Sequence, residues 1–480
     1  MASQDHHGIK KVEFTPPHNR LNLPTQTSTN TSYQQVIVIG TGPTGLLLSL
    51  LLARHSIPVL VLDKSTSLDT QPRATHYAAP ANRVLSRANL LSRVRQHGIE
   101  VGGARWRKPD GTVLAKIENS RLGVENPDRI SCLPLNSLCK MALEDLEKEP
   151  AAEVRWGYEV EGIREEEGRA VVRVKTEEGV EELGADYVVG CDGANSIIRR
   201  QLFGDEFPGY TWDLQIIATN TEEGEEKYAN QRAIKVYYDF EKHGWKDSNF
   251  VIHPTDYFMA AKIQDDGLWR VSYGEVPGLS HDEYRARQPA KYETMLPGNP
   301  KADNYQIVNF SPYKVHQQLA PRMRTTGEKE EEDLLALHLS NLSALGLPSG
   351  GMGLTGGIVD VGDLFDCLTG IHDGQADDDI LDKYDHYRRE KFNQFTNPVS
   401  EANLKRMTSD PDEVETNDPG IVAMRGADKT DEAAVAFQLT TTWFLLPVPI
   451  VPGLILKPTD ITCWLNHDLE SHQSIHPSTE

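Results

Sequence analysis

Three glycines and an aspartate carry the clearest chemistry in this 480-residue chain. Gly40, Gly42 and Gly45 stand at G-x-G-x-x-G spacing, and Asp63 follows 18 residues after the last of them. In such a pattern the first glycine permits a tight turn, the second lets the backbone approach a pyrophosphate, and the third lets helix and strand pack closely. A helix opening at that point offers unpaired N–H groups and partial positive charge to the phosphates. Asp63 is placed to accept the hydrogens of an adenosine ribose. The glycines mean little without their elements, and the elements are there. Val36 to Ile39 is a continuous apolar run, as a strand covered on both faces must be. A Leu-rich helix is predicted from about Pro43 to Arg54, and after the Ser56-Ile57-Pro58 break a second buried strand, Val59 to Leu62, ends in Asp63. The register points to a dinucleotide site on a βαβ unit rather than a merely structural turn. Asp63 followed by Lys64 does not settle whether that dinucleotide is FAD or a nicotinamide.

Two further clusters fall later. Alternating runs and a Thr176-Glu177-Glu178-Gly179 turn read as antiparallel strands, the last of which leads into Gly190-Cys191-Asp192-Gly193-Ala194-Asn195-Ser196, then Arg199 and Arg200. An Asp-Gly where a buried strand gives way to a helix can present a carboxylate and amides to a cofactor, though alone it is more often an ordinary turn. Gly351, Gly353 and Gly356 repeat the G-x-G-x-x-G spacing. No β-branched strand precedes them and no strand with a terminal acid follows, so they read as a glycine-rich helix start rather than a second dinucleotide fold.

Together with QPRATHYA around Arg73 and SGGMGLTGGIVDVGDLFDCL from Ser349 to Leu368, these motifs resemble the FAD-dependent aromatic hydroxylases of the p-hydroxybenzoate hydroxylase and phenol hydroxylase type, particularly fungal members that decorate secondary metabolites. The likeness spans about residues 35–405. It implies an α/β fold: a Rossmann-like FAD-binding domain, with a glutathione-reductase-like βαβ unit, and an inserted antiparallel β-sheet substrate domain. The expected division is a disordered tail (1–32), the FAD-binding domain in two parts (33–208 and 321–405), the substrate domain (209–320) and a C-terminal extension (406–480). The resemblance implies FAD as cofactor, NAD(P)H as transient co-substrate, and transfer of a hydroxyl from O₂ to a phenolic or polyketide-like small molecule. An epoxidase or a Baeyer–Villiger-type oxygenase is the alternative on the same fold. The implied cofactor-binding residues are Gly40, Gly42, Thr44, Gly45, Asp63, Lys64, Arg73, Asp192, Gly193, Gly351, Met352 and Gly353. Among them Gly40, Gly42, Gly45 and Asp63 would hold the AMP half, Arg73 would lie along the flavin and its phosphates, Asp192 and Gly193 near the pyrophosphate, and Gly351 and Gly353 would open a helix toward the flavin ring. A helix N-terminus there stabilises an anionic reduced flavin by roughly 0.3–2 kcal/mol.

One segment departs from the family. Relatives usually read Gly-Asp-Ala-Ala-His shortly before the glycine-rich segment, and its Asp holds the flavin's ribityl chain. Here Thr325 to Ser349 contains Leu334-Leu335-Ala336 and His338 but no such motif, and Asp333 lies before the apolar run instead of after it. Weakened FAD binding, or a flavin-defective homologue, is the corresponding expectation.

The substrate side is less legible. Runs at Leu214–Ala218, Ile234–Tyr238, Phe250–Ile252, Phe258–Ile263 and Trp269–Tyr273 predict an antiparallel sheet whose one face lines a cavity. Tyr210, Trp212, Tyr238, His253, Tyr257 and Met259 are wall candidates; no general base stands out, and His253 and Tyr257 are the weak catalytic candidates. Composition excludes other classes. With 49 Lys+Arg against 71 Asp+Glu the formal net charge is −22, so nucleic acid is not an expected partner. Five cysteines without a close pair fit a reducing, cytoplasmic setting, and neither metal-ligand spacing nor a secretory signal is present. The apolar run Trp443 to Leu456 is too short and too rich in proline to span a membrane; packing on the protein's own body is expected, with docking on a bilayer surface as the alternative.

Overall fold

A computed structural model describes residues 32–70, 75–166, 168–205, 207–222, 238, 240–246, 248–265, 267–325, 336–338 and 352–443. The N-terminal tail, Arg73, the expected strand residues before Tyr238, nearly all of the departing segment, Gly351 and the apolar run after Trp443 lie outside the described residues.

The predicted βαβ unit forms as read. Strand Ser32–Ile39, helix Pro43–Arg54 and strand Val59–Asp63 follow one another, and the two strands pair in parallel with Val36 opposite Val59. The helix is buried nearly throughout because it is covered on several sides, by the sheet, by helix Leu135–Leu146 and by helix Met352–His372. Its leucines pack with Val84, Val361 and Leu364 in one core, where each buried side chain contributes about 1.5–3 kcal/mol. Strand Gly179–Gly190 lies parallel on the other side of the first strand, and hairpin strands Arg169–Thr176 and Glu159–Glu166 extend the sheet antiparallel. The short strand Ala336–His338 pairs in parallel beyond it, with His338 abreast of Gly190.

The second sheet has seven strands, in the order Gln306–Gln318, Gly209–Glu222, Trp269–Glu275, Phe258–Lys262, Ser248–Val251, Gly103–Arg107 and Val113–Glu118. Two strands come from residues 103–118, ahead of the expected insertion, and Ser248–Val251 meets Gly103–Arg107 in parallel, so the sheet is not wholly antiparallel. That hairpin closes an edge which a purely inserted sheet would leave open. Directly paired residues share a face, so the register sorts the side chains. Trp269, Val271 and Tyr273 lie opposite Lys262, Ala260 and Phe258, on the face packed against helix His281–Met295. Arg270 and Ser272 lie opposite Ala261 and Met259, on the other face.

That other face is closed by helices the sequence reading missed. Helix Asn397–Met407 follows Ile380–Lys391 through the π-turn Phe392–Thr396, and helices Pro411–Asn417, Pro419–Ala427 and Asp431–Trp443 occupy what reads as a motif-less acidic tail. Leu404, Met407, Val414, Ile421 and Met424 are buried against Trp106, Phe250 and Val315. The missed signal is local. Asp410 and Asp418 each accept backbone N–H groups of the following turn, and each is followed by a proline at the first helical position.

Candidate functional site

Each glycine of the first motif has its own reason. Gly40 takes φ +107°, and a Cβ there would lie 2.4 Å from the Cys191 carbonyl oxygen; at Gly45 a Cβ would lie 2.0 Å from the Gly40 carbonyl oxygen. The backbone therefore folds only without side chains at these two positions. Gly42 is different: nothing stands within 4 Å of a Cβ built on it. It is the N-cap of helix Pro43–Arg54 and no side chain caps that helix, so the first amides face open space. Asp63 folds back over the turn. Its Oδ2 accepts the Thr41 N–H at 2.7 Å and the Thr41 hydroxyl at 2.6 Å, and its Oδ1 accepts the Ser65 N–H at 2.8 Å. Burial alone would raise this carboxyl's pKa, but those donors outweigh it and hold it below its ordinary value. Lys64 is exposed beyond the strand end.

The Asp-Gly corner touches the glycine turn directly. The Cys191 N–H donates to the Ile39 carbonyl at 2.7 Å, and the Gly40 N–H to that of Leu62 at 2.7 Å. Asp192 Oδ2 accepts from the amides of Ile197 and Ile198, while its buried Oδ1 has no hydrogen-bond partner among the described residues. Gly193 takes φ +80° beside open space. Thr44 joins the third segment: its methyl lies 3.1 Å from a Cβ built on Gly357 in the late helix. That helix starts at Met352, with Gly353 in its first turn. An uncapped helix end, the room at Gly42 and the orphaned Asp192 oxygen fit a dinucleotide phosphate with its bound water.

The late helix is anchored from behind. Arg388 Nε donates to Asp360 Oδ1 at 2.5 Å and its Nη1 to Asp363 Oδ2 at 3.1 Å, all three groups buried. Burial pushes the Asp363 carboxyl up to about 7, against the pull of Arg388.

One face of the second sheet carries polar groups among apolar ones. Arg270, Ser272 and Tyr313 share the face with Met259, Ala261 and Ile216. His76, from just after the Arg73 segment, reaches the same face: its Nε2 lies 3.2 Å from the Ser248 hydroxyl and its Nδ1 2.9 Å from that of Thr75. Burial, helped by the charge of Arg270, pushes the His76 pKa down to about 4. Burial raises the Tyr313 phenol, and Arg270 opposes it.

The comparisons with known proteins agree with this geometry. A family model described as an FAD binding domain matches residues 33–327. Para-nitrophenol 4-monooxygenase of Pseudomonas sp. strain WBC-3 is 33% identical over 378 residues, covering 78% of this chain and 88% of that protein. The chain belongs to the FAD-dependent aromatic hydroxylases. It is an FAD-dependent monooxygenase of aromatic substrates. A second relative of this hydroxylase, 6-hydroxy-3-succinoylpyridine 3-monooxygenase HspB of Pseudomonas putida strain S16, is 33% identical over 381 residues, covering 78% of this chain and 89% of that one. Among solved structures, p-nitrophenol 4-monooxygenase PnpA of Pseudomonas putida DLL-E4 superposes with a TM-score of 0.76 at 30% identity, covering 86% of this chain and 99% of that one. Aklavinone-11 hydroxylase, in complex with FAD and aklavinone, shares the fold with a TM-score of 0.66 at 19% identity, over 82% of this chain and 73% of that one.

Of the hydroxylase's two weak catalytic candidates, His253 sits in a turn. Its Nδ1 accepts the Asp256 N–H at 2.8 Å and the Thr255 N–H at 3.3 Å, which commits that nitrogen to shaping the backbone. Tyr257 is buried in the cluster that holds Met259 and the C-terminal helices, packed over Gly274, and burial pushes its phenol up to about 12. Tyr238, a wall candidate, packs edge-on to Phe240 on the opposite face. Arg270, Ser272, Tyr313 and His76 were missed. A usable signal was present in WRVSYGE, where Arg270 and Ser272 alternate with Trp269, Val271 and Tyr273.

Among the described residues no group of three or more His, Cys, Asp or Glu could hold a metal, and no helix is long and apolar enough to cross a membrane.

Proposed function

We propose that this hydroxylase couples NAD(P)H oxidation and O₂ to the hydroxylation of a phenolic or polyketide-like small molecule, in the making of a secondary metabolite. The observation that carries the reading is the polar patch of Arg270, Ser272 and Tyr313 on an otherwise apolar sheet face, adjoining His76. An apolar wall takes an aromatic ring, and a few placed polar groups fix its orientation. A cation beside the phenol oxygen favours the ionised form, which makes the ring more electron-rich. Gly42, the first amides of helix Pro43–Arg54, Asp63 and Asp192 hold the dinucleotide part of FAD, with Arg73 and the start of the late helix beside the flavin. FAD, when bound, supplies the oxygen-activating redox chemistry. The sheet and the C-terminal helices keep bulk water from the ring, leaving the substrate in a dry, oriented cavity.

The test is NADPH consumption by the FAD-loaded protein against a panel of phenols, with ¹⁸O₂ and mass analysis of products. Substrate-stimulated consumption with one ¹⁸O in a new hydroxyl supports the reading; a labelled epoxide or a ring-inserted ester oxygen assigns the epoxidase or Baeyer–Villiger alternative. Consumption that no phenol stimulates overturns both.

The segment after Leu337 favours a second reading, in which FAD is held weakly. Strand Ala336–His338 keeps its place beside Gly190, but the sequence continues Leu339-Ser340-Asn341 where relatives place Gly-Asp-Ala-Ala-His. Protein purified without flavin absorbance, with binding restored on installing that motif, supports this reading; full FAD occupancy as purified removes it.

A further inference from the structure

The carboxylate expected to meet the adenosine ribose is already supplied with donors by its own chain. Asp63 Oδ2 takes both the N–H and the hydroxyl of Thr41, at 2.7 and 2.6 Å, and Oδ1 takes the Ser65 N–H at 2.8 Å. A carboxylate has about four acceptor positions, so three are taken and one, on Oδ1, is left for a ribose hydroxyl. The donors differ in how easily they yield. Two are backbone amides fixed by the fold. Thr41 is buried, 7% exposed, between the two loops, whereas Ser65 is exposed at the rim.

We propose that Thr41 is a positioning residue for the cofactor: it locks the Oδ2 edge of Asp63, so that a single ribose hydroxyl reads the open position on the Oδ1 edge. Asp63 then recognises one of the two ribose hydroxyls and not the other. This rests on the reading that the glycine turn holds the AMP half of FAD. The ribose hydroxyl then donates to a carboxylate whose geometry is already set, so little ordering is needed at the moment of binding. Thr41→Val would keep the N–H and the shape but remove one of the two donors to Oδ2, and the carboxylate would have to be ordered further at the moment of binding.

The test is quenching of flavin fluorescence on titrating the full-length apoprotein with FAD, with FAD lacking the 2′- or the 3′-hydroxyl of its adenosine ribose, and with FMN. On the unmutated protein one deoxy analogue should bind about 10-fold more weakly than FAD and the other like FAD, the size of one hydrogen bond to a charged group. Thr41→Val should raise the Kd for FAD about 5-fold, Thr41→Ser should restore it, and Ser65→Ala, which keeps the backbone donor, should leave it unchanged. FMN, which lacks the adenosine ribose, should bind all four proteins alike. Loss with both analogues, loss with neither, or weakening by Ser65→Ala to the extent of Thr41→Val overturns the role of Thr41, as does an FMN affinity that follows that of FAD. Failure of the unmutated protein to bind FAD at all, with FMN still bound, overturns the underlying placement of the AMP half and this inference with it.

Discussion

The glycine corner is a site made of backbone, and the face of the second sheet is a site made of side chains. At the corner, Gly40 and Gly45 let two loops approach more closely than any Cβ permits, and the ligand-facing groups are amides and one orphaned carboxylate oxygen. On the sheet, the polar groups of one face arrive from separate strands: Ser248, Arg270 with Ser272, and Tyr313, joined by His76 from outside the sheet. A backbone site constrains which residue types are allowed at fixed spacing. A side-chain site constrains only where strands cross, and many residues suit each place. On the function proposed above, the cofactor common to the family takes the first kind of site and the variable substrate the second.

The largest expected effect breaks the corner from behind. Asp360→Asn leaves the buried Arg388 guanidinium short of a charge and should destabilise the protein by about 3–5 kcal/mol. Asp363→Asn should cost far less, because its carboxyl is already near neutral and its Oδ1 has no partner among the described residues. The pH dependence separates the two. A carboxyl whose pKa is raised on folding, from roughly 4 in the unfolded chain, adds stability that is fully present below the unfolded value. That stability is lost as pH rises through the folded value, here about 7. Thermal unfolding between pH 4 and 8 should show that decline in the unmutated protein and its disappearance in Asp363→Asn.

Next in size is a contrast inside the motif. Gly45→Ala would drive a methyl to 2.0 Å from a carbonyl oxygen and should lower stability by about 3 kcal/mol, with loss of flavin. Gly42→Ala meets nothing within 4 Å, so the apoprotein should melt within a degree or so of the unmutated one while its FAD affinity falls. Equal melting losses in both variants would show that Gly42 is structural too. On the sheet side, Arg270→Met should reduce kcat/KM for phenols about 10-fold, roughly 1.4 kcal/mol, with FAD affinity unchanged. A loss of flavin in that variant would erase the distinction between the two sites.

That distinction also explains what could be read in advance. Helix Pro43–Arg54 and the strand ending at Asp63 were legible to the residue, because the glycine spacing, the apolar runs and the terminal acid all report on one local unit. The Thr41 clamp on Asp63 was not, since it depends on how the loop folds back over the strand end. The hairpin 103–118 joining the second sheet was invisible for a stronger reason: its pairing partner lies about 140 residues away, and register across such a distance is set by the assembled core. The helices after Pro411 were missed for the opposite reason. Their Asp-Pro starts are local signals, but they look like tail punctuation when no apolar periodicity accompanies them.

The smallest effect concerns His253, one of the two weak catalytic candidates of the sequence. Its Nδ1 accepts two amides of the 253–256 turn, so the ring proton sits on Nε2 and the imidazole works as a cap for the turn. His253→Ala should cost about 1 kcal/mol of stability through those amides and leave the pH profile of kcat unchanged. His253→Asn, whose side-chain oxygen can take the same amides, should recover most of the stability. If instead both variants lost kcat at unchanged melting temperature, the turn would carry a proton after all, and the proposed substrate site would extend from Arg270 to the loop beyond the sheet.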